Sequence, residues 1–311
     1  MLQKNSSGLL HFPRVYFTLG GAFIMLLLMG ARCEASRAAN HSEGLALDSI
    51  PYDLSNPTQK IILEDEALRE ISGLGFTADP GIVSAIADEK GEIFMLDMNK
   101  NGQIASRFVF KEKGDFEGIE MVGDTIYAMQ SNGKLFQIIN WKNNSTPTIH
   151  IFDNLLTEDH DIEGLCYDAH KQVLLIACKE NPELNTIRNI WAFDIKTQKL
   201  SDKPAYSIDP GKIDEVVPAQ EDDKERHFST SGIAIHPQTG DLYVISSALK
   251  RLAVLDGKTG ALKSAGRLDR NVLVQPEGIT FDSAGNLYIS SEGKKHQGYI
   301  LKYEKRKTAQ N

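Results

Sequence analysis

The chain has 311 residues, 41% of them hydrophobic and 24% charged, with a net charge of -8 and a pI near 5.5. Such usage can fill a large core and excludes intrinsic disorder. The acidic balance lacks the basic footprint that phosphate backbones require, so nucleic acid is excluded as an expected partner.

The chain opens with Lys4 and Arg14 ahead of an apolar run over residues 16–31, and small residues follow at Ala35, Ala38 and Ala39. This is the order of a secretory signal. The run of 16 residues is shorter than the roughly 20 needed to span a bilayer. Residues 1–38 are therefore expected to be a cleaved signal peptide, with a retained N-terminal membrane anchor as the alternative. Leu27-Leu28-Met29-Gly30-Ala31-Arg32-Cys33 also resembles a bacterial lipoprotein box, which would tether the chain through Cys33. Each reading predicts export, to the periplasm or to a membrane of the cell envelope. Residues 39–58, with their Ser, Asn, Asp and Pro, read as a linker, and residues 306–311 as a charged tail.

Between them one phrase returns five times: Glu70-Ile71-Ser72-Gly73-Leu74, Asp115-Phe116-Glu117-Gly118-Ile119, Asp161-Ile162-Glu163-Gly164-Leu165, Ser229-Thr230-Ser231-Gly232-Ile233 and Gln275-Pro276-Glu277-Gly278-Ile279. Their glycines lie 45, 46, 68 and 46 residues apart. A period of 40–50 residues is the signature of a β-propeller. The expected fold over residues 59–305 is all-β: a five-bladed β-propeller of four-stranded blades.

Strand-like runs, rich in β-branched and aromatic residues and bounded by turn residues, fill each repeat. Blade one offers 73–77, 82–87, 92–98 and 104–110; blade two offers 118–122, 125–129, 134–139 and 148–152. Blade three offers a strand starting at Gly164, then 173–177, 189–195 and 205–208; blade four offers 232–236, 241–246, 251–255 and 262–268. Asn132-Gly133 and Asp256-Gly257 are expected to supply the positive φ of tight hairpins. The long interval exceeds its neighbours by 22 residues, too few for a blade, so 209–228 is an insertion. Blade five has only 278–281, 286–290 and 299–303, while Ile61-Ile62-Leu63 precede blade one without a place in it. That N-terminal strand is expected to complete the last blade and close the ring. A monomer is expected.

Inner strands line a propeller's axis, so the phrases should ring one mouth. The residues before the glycines are Ser72, Glu117, Glu163, Ser231 and Glu277, and Glu89, Glu180 and Glu292 stand near the ends of second strands, which return to the same mouth. Oxygen-only donors suit calcium or magnesium better than zinc. Glu117, Glu163 and Glu277 are thus the candidate ligands of one divalent cation, calcium favoured. Glu89, Glu180, His227, Ser231 and Glu292 are candidate ligand-binding residues for a small molecule or protein ligand. An architectural alternative has each phrase Glu accepting bonds from backbone N–H groups at the blade crossing. A calcium-dependent hydrolase of lactonase, esterase or phosphoesterase type, with His227 or Glu180 as base, is the alternative function, and no catalytic residue is assigned.

Asp97-Met98-Asn99-Lys100-Asn101-Gly102 matches the first half of a calcium loop, but Phe108 occupies its twelfth position where a bidentate Glu is required. It reads as a hairpin turn. Cys166 and Cys178 fall on neighbouring strands out of register for a disulfide and should be buried thiols.

The ordered set of Asp115 to Ile119, Asp161 to Leu165 with Lys179-Glu180-Asn181-Pro182, Ser231-Gly232-Ile233, and Pro276-Glu277-Gly278-Ile279 with Tyr288-Ile289-Ser290-Ser291-Glu292 resembles the SdiA-regulated (YjiK-like) propeller family of bacterial envelopes. The resemblance implies an exported or envelope-anchored propeller rather than a particular activity. Gly293-Lys294-Lys295 stand where that family usually has Pro-Asn. A wider likeness to calcium-dependent lactonase propellers is confined to architecture.

Overall fold

The computed structural model describes residues 49–142, 146–153, 155–184, 186–221, 223 and 227–306. The expected signal or anchor, Cys33 and all but the first residue of the charged tail lie outside the described residues.

Alternating runs of β-branched and aromatic residues form five antiparallel sheets. Blade one is β2 (Ile71–Phe76), β3 (Ile82–Ala87), β4 (Gly91–Asp97) and β5 (Gln103–Lys111). Blade two is β6 (Phe116–Val122), β7 (Thr125–Gln130), β8 (Leu135–Ile139) and β9 (Thr148–Phe152). Blade three is β10 (Ile162–Asp168), β11 (Val173–Cys178) and β12 (Arg188–Asp194), and its outer position is shared by β13 (Lys199–Leu200) and β14 (Tyr206–Ile208), both paired with β12. Blade four is β15 (Gly232–Ile235), β16 (Leu242–Ser246), β17 (Arg251–Leu255) and β18 (Leu262–Arg267).

Blade five is β19 (Pro276–Phe281), β20 (Leu287–Ser291) and β21 (Tyr299–Tyr303), completed by β1 (Gln59–Ile62). The pairing of β1 with β21 is antiparallel and sets Ile61 opposite Ile300. Leu63 continues the strand by donating its N–H to the Gly298 carbonyl at 2.9 Å. Ile61 and Leu63 are buried at 0% and 2% exposure. The ring thus closes as the sequence predicts, and the last blade has no missing strand.

Apolar side chains gather between blades rather than at one centre. Phe94 and Ile300 belong to the cluster joining blades five and one; Phe116 and Phe136 to that of blades one and two; Leu165 and Phe193 to that of blades two and three. Phe228 and Val244 serve blades three and four, and Leu252 and Leu301 blades four and five. A blade cannot bury both faces without two neighbours, which makes closure a stability requirement.

Three expectations are refined. Tyr52 and Leu54, expected in the linker, are buried in the cluster of blades four and five, and the Tyr52 hydroxyl donates to the Gly285 carbonyl at 2.7 Å. In the Asp256-Gly257 turn the left-handed residue is Gly260 (φ 73°), with Asp256 accepting from the backbone of Lys258 and Thr259; Gly133 (φ 88°) does take the expected role. The insertion contains a short helix, α1 (Pro210–Val216), whose Ile213 is buried beside Phe228.

Two others hold. Asp97 caps a single 3-10 turn over Met98–Lys100, followed by left-handed Asn101 and Gly102, so the calcium-like segment is a β4–β5 connection. Cys178 pairs with Ile162, and both cysteines are free and buried.

Candidate functional site

In four of the five phrases the second residue enters the β-ladder and the next residue breaks it; in the fourth phrase the ladder starts only at Gly232. The register shifts between Ile71 and Gly73, between Phe116 and Gly118, between Ile162 and Gly164, and between Pro276 and Ile279. Ser72, Glu117, Glu163 and Glu277 are therefore bulge residues, and a bulge re-aims its side chain out of the alternating pleat. The glycine that follows is required by crowding at the axis. A Cβ on Gly118 would fall 2.6 Å from Leu165 Cβ, and one on Gly232 would fall 2.2 Å from the Glu277 carbonyl oxygen. The five glycines leave a gap of only about 10 Å³, so the axis is occluded just beneath the carboxylates.

Above this floor lies a cavity of about 570 Å³. The structure brings Glu117, Glu163, Glu277, Ser231 and Glu292 together in its wall. Glu89, Glu180 and His227 are elsewhere. Glu89 is exposed, Glu180 lies 3.6 Å from Arg188, and His227 is an exposed side chain whose Nδ1 is 3.0 Å from Asp214 on α1. Neither base named for the hydrolase alternative reaches the cavity.

Ladder register accounts for the difference. Ala87, Cys178 and Ser291 pair with Ile71, Ile162 and Pro276. The equivalent next residues are Asp88, Lys179 and Glu292, and all three line the cavity. Glu89 and Glu180 are one residue further on, which turns a side chain to the opposite face. Sequence reasoning also missed Asp223 of the insertion and Ser229 at the head of the fourth phrase, together with Ser247, Lys250, Arg270 and Lys294.

The carboxylates differ sharply in their partners. Lys179 Nζ is 2.8 Å from Glu163 Oε1 and 3.1 Å from Asp161 Oδ2, and these anions hold its own pKa up despite burial. The Glu163 side chain is 12% exposed, and burial keeps its pKa above the usual carboxylate range even with Lys179 alongside. Burial, then repulsion from Glu163 and Glu292, pushes Glu277 up to about 8, against hydrogen bonds with Ser247 and Gln275. Burial pushes Glu292 up to about 7 and Asp88 to about 6, with neighbouring carboxylates adding to both.

Glu117 is the extreme case. Burial raises its pKa most, and Glu163, Asp115, Glu277 and Asp88 all push in the same direction. Among the described residues Glu117 forms no ion pair with a cation. Burying carboxylates together without a counter-charge opposes ionisation.

None of the three phrase glutamates takes a bond from a backbone N–H among the described residues, so the architectural alternative is not what they do here. That role falls to Glu120, which accepts from Met121 N at 2.9 Å and Tyr167 N at 3.1 Å. The donor set of Glu117, Glu163 and Glu277 has the oxygen chemistry calcium requires. In this arrangement, however, no three His, Cys, Asp or Glu side chains among the described residues stand close enough together to hold a metal ion.

Solved structures similar to this chain include Myxococcus xanthus glutaminyl cyclase, at 12% identity and a TM-score of 0.54, covering 80% of this chain and 95% of that one. The PQQ-bound aldose sugar dehydrogenase of Streptomyces coelicolor, at 12% identity and a TM-score of 0.48, covers 80% and 98%. At 12% identity the likeness to the cyclase is one of fold alone. No curated protein matches the chain in sequence. The family model described as SdiA-regulated matches residues 54–296, which takes in all five phrases; this chain belongs to the SdiA-regulated family.

Proposed function

We propose that the axial mouth binds a ligand, free or presented by a protein partner, that brings positive charge to the inner glutamates. The observation that carries this reading is Glu117, set in a bulge at the cavity wall, pressed by neighbouring carboxylates and in no ion pair among the described residues. A ligand cation would relieve repulsion that the chain itself leaves in place. Calcium is the first candidate, and it would require the mouth carboxylates to draw closer together than they stand here.

The test is thermal melting of the chelator-treated protein with added calcium and, in a parallel arm, methylammonium. Ligand at a hundredfold excess over its dissociation constant is expected to stabilise the fold by ~2.7 kcal/mol. Glu117→Gln is expected to raise the stability of the ligand-free protein and to weaken the response. Glu163→Gln is a poorer probe, because it also removes one of the two anionic partners of Lys179. Melting curves indifferent to both cations, in parent and variant alike, would sink the reading.

The proposal places this binding outside the cytoplasm, on the basic, apolar and small-residue order of residues 1–38. Cell fractionation is expected to find the chain in the envelope fraction or the periplasm. Cys33→Ser should release a lipid-tethered form and leave a soluble one unchanged; full-length protein in the cytoplasm would contradict both.

A further inference from the structure

The cavity wall carries two charge poles, and they stand on different blades. Asp88 follows β3, Glu117 lies in β6 and Glu163 in β10, so blades one to three supply acid. Lys250 joins β16 to β17, Arg270 follows β18 and Lys294 follows β20, so blades four and five supply base. Glu277 and Glu292 of blade five border both poles. Glu277 is repelled by Glu163 and attracts Lys250, while Glu292 is repelled by Asp88 and attracted by Lys294.

Two such poles in contact would neutralise each other as ion pairs. Within the acidic pole Lys179 does so with Glu163 and Asp161, and within the basic pole Arg270 does so with Asp223 at 2.7 Å. Across the cavity, among the described residues, no ion pair joins Lys250 or Lys294 to Asp88, Glu117, Glu277 or Glu292. Lys250 is half-buried and donates to the Ser247 carbonyl. Burial disfavours its ammonium form and Lys294 and Arg270 add to that, against the attraction of Glu277 and Asp223. Each pole therefore keeps a member that forms no ion pair among the described residues: Glu117 on one side and Lys250 on the other.

We propose that the mouth takes a small zwitterion of the amino-acid or short-peptide class, its ammonium received by Asp88, Glu117 and Glu277 and its carboxylate by Lys250 and Lys294. This rests on the reading that the inner glutamates bind positive charge, and it adds the second pole. A bare cation gains nothing from Lys250, a purely cationic molecule is repelled by the basic pole, and an anion is repelled by the glutamates. A molecule carrying both signs neutralises both. The volume of about 570 Å³ lies within the roughly 300–1,000 Å³ of small-molecule sites and leaves room for more than one residue.

The test is calorimetric titration of the full chain with 4-aminobutyrate, 6-aminohexanoate and triglycine, each beside its N-acetyl and its methyl-ester form. At least one free zwitterion is expected to bind, and blocking either end is expected to weaken it about tenfold or more, as loss of a charge partner does. Lys250→Met should weaken the zwitterion and leave the ester unaffected, whereas Glu117→Gln should weaken both. Lys294→Ser, at an exposed position, provides a second variant that does not disturb the core. An ester that binds as tightly as its zwitterion, or a response to calcium with none to any zwitterion, overturns the proposal and leaves the cation reading standing. Silence toward zwitterions, calcium and methylammonium together overturns both.

Discussion

A variant lacking residues 58–65 is expected not to accumulate as soluble, cooperatively folding protein. The deletion removes β1, strips β21 of its ladder partner and opens the cluster between blades five and one, where Ile61 and Leu63 are fully buried. Truncating one such side chain to Ala costs ~2–5 kcal/mol, and a domain's whole stability is only ~5–15 kcal/mol. Losing both side chains together with a strand's hydrogen bonds exceeds that margin. Ile61→Ala alone should leave a folded protein whose urea midpoint reflects a loss of ~2–5 kcal/mol. A chain starting at residue 67 that melts together with one starting at residue 45 would refute closure by β1.

The stability of the ligand-free protein should fall as pH rises from about 6.5 to 8, the reverse of the usual behaviour of carboxylates in ion pairs. Glu117, Glu163, Glu277 and Glu292 all have folded-state pKa values raised above 4.5, to about 8 for Glu277 and about 7 for Glu292. In this window the unfolded chain has lost those protons and the native state still holds part of them. The native state therefore binds more protons, and stability declines with pH. Each proton fully retained contributes at most ~1.4 kcal/mol per pH unit. His236, whose folded-state pKa is lowered by burial, acts in the opposite sense, but only below about 6.5, where the unfolded imidazole is charged. The carboxylates with lowered values, such as Asp223 and Asp256, lose their contribution only in acid. Urea unfolding at half-unit pH steps reads the slope directly. Glu117→Gln should flatten it, and a positive slope from 6.5 to 8 in metal-free protein would show that the mouth is not destabilised by its own charge.

Periodic information was legible in the sequence. Five phrases, evenly spaced except across the insertion, specify five blades, because each blade is a local structure that repeats its own turn and strand chemistry. The orphan run of Ile61 to Leu63 and the incomplete fifth repeat specify how the ring closes. The glutamates before Gly118, Gly164 and Gly278 could be found the same way, since each sits at a fixed offset from a glycine.

Tertiary structure decided whatever depends on register or on the insertion. A bulge adds one residue to one strand, and no residue type marks which partner then faces inward. Asp88 and Lys179 replaced Glu89 and Glu180 for that reason, and with Lys179 came the cation that occupies Glu163. Asp223 reaches the wall from an insertion outside the repeat, where no period applies. The basic pole of Lys250, Arg270 and Lys294 is assembled from two blade-edge turns and a connection between blades. Those residues are distant along the chain and share no motif; only the curvature of the closed ring brings their charges to one side of one cavity.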